Sequence, residues 1–136
     1  MLRSIPPSWA VRGLLALQAV SLGYHALILS GVVPYENVWG GRLTSHEQML
    51  RFEAVSVALN LGMVWIVGMV GGLWKRVLRP RVLTMICYVF AGLFALNTLG
   101  NLAATTTFET VVFTPLTLLA CIGFARLAVG EVSAPG

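Results

Sequence analysis

Four long stretches of this chain are apolar, three of them without any charge and the last with one, and no other feature of the sequence limits the fold as much. Between Arg12 and Glu36 lie 23 uncharged residues, between Glu53 and Lys75 lie 21, and between Arg81 and Glu109 lie 27. From Thr110 to Gly130 the only charge is Arg126. A helix crosses the hydrocarbon core of a bilayer in roughly 20 residues at about 1.5 Å each, so all four stretches qualify. They are continuous rather than alternating, and each is too long for a barrel strand. The expected fold class is all-α: an integral membrane four-helix bundle, one transmembrane domain over residues 1–136. The expected spans are about 11–32, 52–74, 82–104 and 110–129.

Charge placement sharpens this. Only 10% of residues are charged and 57% are hydrophobic, where soluble domains average about 25% charged. The net charge of +4 would suit a nucleic-acid binder, but the bases stand at the ends of the apolar stretches, where membrane topology uses them. The expected partner is membrane lipid, with no nucleic acid. Arg3, Arg12, Lys75, Arg76, Arg79, Arg81 and Arg126 fall on one side, and only Arg42 and Arg51 on the other. The positive-inside rule then places both termini and the 75–81 loop in the cytoplasm, and the 33–51 and 105–109 loops outside. The first stretch is too long for the apolar part of a signal peptide and no A-x-A site ends it, so it is expected to remain as a span.

The connections agree. Pro80 stands in the basic turn between spans two and three, where a helix has to stop. Residues 33–45 contain Pro34, Asn37, Gly40 and Gly41 and read as irregular. Ser45 followed by Glu47 and Gln48 reads as an N-cap with a capping box leading into span two. Gly68 and Gly72 form a GxxxG suited to close helix contact, within the bundle or between copies. Pro115 removes a backbone bond to the Val111 carbonyl and should kink span four. Cys87 and Cys121 lie inside apolar stretches without CxxC spacing and read as buried small residues.

Polar residues inside the spans are the informative ones, because a side chain facing lipid gains nothing from polarity. Gln18, Ser21 and His25 fall at i, i+3 and i+7; Glu53, Ser56 and Asn60 repeat that spacing. Asn97, Asn101 and Thr105 fall at i, i+4 and i+8, and Thr110, Thr114, Thr117 and Cys121 at i, i+4, i+7 and i+11. Each set shares one helical face. His25, Asn60, Asn97 and Thr117 also fall at matching depths, roughly 10–12 Å below the outer surface. The expectation is a polar pocket open outward and closed toward the cytoplasm, rimmed by Arg51, Glu53, Glu109 and the 36–46 loop that holds Arg42. Its candidate ligand-binding residues are His25, Arg42, Glu53, Asn60, Asn97, Asn101, Thr105, Glu109 and Thr117. The plainer alternative is that these groups only bond neighbouring helices together. His25 and His46, the only histidines, lack further ligands at zinc spacing. No metal or catalytic residue is assigned, and the cofactor is unknown.

The strings VPYENVWGGRL, LNTLGNLAATTTFE and FTPLTLLA resemble a family of small bacterial four-helix integral membrane proteins. Its members carry a VPYxxVWGGR outer loop, a Phe-Glu at the start of the second span and an NTxGN block in the third. The matching positions are Glu36, Trp39, Gly40, Gly41, Arg42, Phe52, Glu53, Asn97, Gly100, Asn101 and Glu109. The resemblance implies a multi-pass protein of the bacterial cytoplasmic (inner) membrane and brings no activity with it.

Three functions compete. The first is binding or transport of a small solute, ion or lipid at the outward pocket. The second is an accessory or structural subunit of a larger membrane complex; under the first, a homo-oligomer would build a path between copies. The third is a membrane enzyme acting on a lipid or isoprenoid, for which there is no nucleophile elbow, phosphate loop, DxxD-like motif or redox cysteine pair. The balance leans away from an enzyme.

Overall fold

A computed structural model describes residues 2–103, 107 and 109–130. Four long helices account for most of them: α1 (Pro7–Leu29), α2 (His46–Val70), α3 (Pro80–Leu102) and α4 (Thr114–Val129). A π-turn, Glu109–Phe113, runs directly into α4, and short 3-10 turns cover Leu2–Ser4, Tyr35–Asn37 and Trp39–Gly41. All four helices, with residues 110–129 as the last, are long and apolar enough to cross a membrane. The chain is a four-span, all-α membrane protein.

The helix boundaries follow from local chemistry. Proline stands in the first turn of α1, α3 and α4, where its missing N–H costs nothing and its fixed φ suits the helix. Pro80 therefore opens α3 rather than closing the helix before it. Pro115 likewise lies in the first turn of α4, and the disturbance expected from it takes the form of the π-turn immediately upstream. The second helix runs from His46 to Val70 and starts at the expected Ser45 cap. Ser45 Oγ accepts the Gln48 N–H at 3.2 Å. Gln48 Oε1 reaches back to the N–H of Thr44 (2.9 Å) and to its hydroxyl (3.0 Å), so the return arm of the capping box lands one residue early.

At the other end of α2, Gly72 takes a left-handed φ of +72°. The Leu73 N–H donates to the Gly68 carbonyl (2.9 Å) and the Gly72 N–H to that of Met69 (3.3 Å), the paired bonds of a Schellman stop. The expected GxxxG contact is corrected accordingly. Gly72 is the turn residue past the helix, and Gly68 is covered by Trp74, whose ring would overlap an added Cβ. The missing side chain lets Trp74 fold back onto its own helix and donate Nε1–H to the Trp65 carbonyl at 3.0 Å.

In space the helices run in the order α2, α1, α4, α3, with little direct contact between α2 and α3. Gly123 brings α4 close to α1, since a Cβ there would meet Leu14 at 2.9 Å. The inward positions of α2 (Met49, Glu53, Asn60, Met63, Val67) follow the alternating three-and-four spacing of a left-handed bundle seam.

Two cores result. The larger, toward the termini, is apolar and includes Leu14, Met63, Val67, Leu83, Cys87 and Phe124. Phe90 and Phe94 pack on Phe124 with ring centroids 5.1 and 5.7 Å away. The smaller joins Ile28 and Met49 to Val38 and Leu43 of the 30–45 connection. Two buried side chains in that loop make it a packed cover over the helix ends.

Candidate functional site

Glu53 lies seven residues inside α2 and is fully buried. A carboxylate removed from water is tolerated only when its oxygens are satisfied, and both are. His25 of α1 places Nδ1 2.6 Å from Oε2. Trp39 of the connection donates Nε1–H to Oε1 at 3.0 Å. At 2.6 Å a proton has to lie between the imidazole and the carboxyl, since two lone pairs facing each other would repel. The His25 side chain is 13% exposed and that of Glu53 is fully buried, so the pair sits between α1 and α2 almost out of contact with solvent, with Trp39 of the connection on the acid's other oxygen.

The loop approaches through an unusual backbone. Trp39 adopts φ +56°, the left-handed region that bulky residues avoid at a cost of order 1–3 kcal/mol. Gly41 follows with φ +67°. The strain is held by the bond to Glu53 and by an edge-on contact with Phe52, centroids 5.1 Å apart. Trp39 as a residue is 41% exposed, so it reaches the buried acid through its N–H while remaining in part outside. A recess of about 410 Å³ opens at the same end, lined in part by Pro34, Tyr35, Glu36 and His46. Its lining also includes Ile28 and Met49, one helical turn from His25 and Glu53 respectively, so these two apolar side chains separate the recess from the His25–Glu53 layer.

A second polar group joins α3 to α4. The Thr98 hydroxyl lies 3.0 Å from that of Thr117, and Asn101 Nδ2 donates to Thr117 Oγ1 at 3.3 Å. Thr117 also reaches its own helix at the Phe113 carbonyl (2.8 Å), as Thr98 does at that of Phe94 (2.7 Å). Thr110 donates to the Asn101 carbonyl at 3.1 Å. Tyr24 of α1 and Phe113 of the π-turn pack against each other with ring centroids 5.4 Å apart.

The expected residues are thus only partly brought together. His25 and Glu53 meet, and Asn101 meets Thr117. Asn60 is buried but bonds the Ser56 carbonyl of its own helix at 2.8 Å, joining neither cluster. Asn97 is exposed, and Thr98 takes the inward place; this corrects the expectation that Asn97 faces the interior. Arg42 is exposed and Arg51 pairs with Glu47 on the surface, so neither reaches Glu53. Thr105 and the Glu109 side chain lie outside the described residues. Two separate clusters replace the single pocket. Trp39, the third member of the first, was marked in the sequence only by its match to the VPYxxVWGGR loop. Among the described residues, no group of three His, Cys, Asp or Glu side chains is placed to hold a metal ion.

No protein-family model, curated protein or solved structure matches the chain. The resemblance carried by the VPYENVWGGRL and LNTLGN strings therefore acquires no family name. The four-span architecture stands on the helices themselves.

Proposed function

We propose that this chain binds, and in an oligomer transports, a small solute or ion, or the polar end of a lipid, through the site built on Glu53. The observation that carries this reading is the fully buried carboxylate held by His25 and by a strained Trp39. An ionisable group inside a membrane span is costly and is retained where it does work. The excess of bases near the termini and the 75–81 loop supports an orientation with both termini in the cytoplasm and the Trp39 loop outside. A ligand then arrives at the recess beside Tyr35 and His46, passes Ile28 and Met49, and takes the place of the indole N–H on Glu53. Ligand groups suited to that position are hydrogen-bond donors or cations.

The test is a thermal-shift screen of the purified protein in lipid nanodiscs against sodium, potassium, magnesium, small alkylammonium salts and common phospholipids, with Glu53→Gln in parallel. A stabilising compound whose effect disappears in Glu53→Gln is the expected result. Compounds that stabilise both proteins equally, or none that stabilises the wild type, would remove the support for this reading.

A further inference from the structure

Among the described members of the four polar stripes, Asn97 alone is exposed. It makes no hydrogen bond to any described residue, whereas Asn60 and Asn101 each bond within the chain. It lies five residues from the end of α3, about 7–8 Å in along the axis. Its neighbours on that face are apolar: Val89 is 56% exposed and Leu93 50%. One turn beyond, Gly100 has open space where a Cβ would stand. An amide facing hydrocarbon without a partner costs several kcal/mol, so this face is incomplete as it stands.

We infer that the α3 face carrying Val89, Leu93, Asn97 and Gly100 is the interface with a second copy of this chain. Two observations select that occupant. A carboxamide is both donor and acceptor, so two Asn97 side chains related by a two-fold axis along the membrane normal satisfy each other without any further group. Within the chain, α3 packs closely on α4 and the π-turn that leads into it, which leaves its far side free for a helix. The spacing 89, 93, 97, 100 (intervals of four, four and three) keeps these residues on one side of the helix. A single Asn in an apolar helix seam fixes register and copy number, and Gly100 lets the two backbones approach. This interface does not depend on a ligand at Glu53.

The experiment is performed on the full chain in lipid bilayers, with Cys87 and Cys121 replaced by Ala to remove background thiols. Gly100→Cys and Leu93→Cys should each cross-link to their counterpart in the second copy under mild oxidation, while Ala95→Cys, exposed on the other side of α3, should not. Separately, the dimer fraction is followed by energy transfer between labelled copies as protein is diluted in lipid. Asn97→Leu, which leaves intrachain contacts unchanged, should raise the protein-to-lipid ratio for half-dimerisation by roughly tenfold, and Asn97→Gln should retain most of the association. A monomer at every dilution, cross-linking at Ala95→Cys as strong as at Gly100→Cys, or a dimer indifferent to Asn97→Leu would each overturn the inference.

Discussion

The two polar clusters solve the problem of polarity in a membrane in different ways. In the α3–α4 group, Thr98 and Thr117 bond carbonyls of their own helices and touch each other as well. Neither hydroxyl is stranded if the other helix moves. In the α1–α2 group, Glu53 bonds only across space, to His25 at a separation of 28 residues and to Trp39 at 14. A hydroxyl carries its own insurance in the preceding turn; a carboxylate has none, because an ionised carboxyl accepts and cannot donate to a carbonyl. The first cluster therefore works as an adhesive between helices. The second is an arrangement that the rest of the fold has to maintain.

Substitutions should separate the two sharply. His25→Leu strands a buried carboxylate and should cost about 3–5 kcal/mol of unfolding free energy, measured by denaturant titration in mild detergent. Replacing Glu53 by Leu in the same chain should restore most of that loss, because an apolar pair needs no satisfaction. If His25→Leu is silent, the pair is not formed in the membrane. Trp39→Phe keeps the ring contact with Phe52 but removes the N–H donor. It should cost about 1.5–3 kcal/mol and increase protease cleavage in the 38–42 loop, whereas an unchanged cleavage rate would mean that the bond to Glu53 does not hold the loop. Thr117→Val leaves backbone carbonyls in their helices and should cost only about 0.6 kcal/mol. Asn60→Leu should be smaller still, as its amide bonds its own helix; a loss above that of Thr117→Val would assign Asn60 a partner across helices.

Much of the fold was legible because hydrophobic length alone identifies a span. The Ser45 cap was legible from one hydroxyl and a Gln three residues on. The face of α3 was misjudged for a geometric reason. The stripes in the other three helices alternate steps of three and four, which follow a bundle seam, and their described members are buried or half-buried. Asn97, Asn101 and Thr105 take two successive steps of four, and each such step turns the helix by about 40°. The face that is buried, with Phe94, Thr98 and Asn101, takes a four and then a three. Spacing held the answer; residue polarity drew attention away from it.

Trp39 was missed for another reason. Irregular segments carry no period, and a tryptophan near a span end reads first as an interface anchor. Two features of the sequence pointed further. A buried acid in span two requires donors from outside its own helix, and Trp39 is followed by two glycines that free the backbone. The indole N–H beside that hinge is a donor of the kind Glu53 lacks locally.

The bond between Trp39 and Glu53 is the most direct test. In ¹⁵N-labelled protein in nanodiscs, the Trp39 indole N–H should exchange slowly with solvent deuterium, alongside that of Trp74, which bonds the Trp65 carbonyl. In Glu53→Leu the Trp39 resonance should lose its protection while Trp74 keeps its own. A Trp39 indole that exchanges freely in the wild-type protein would contradict the account at its centre.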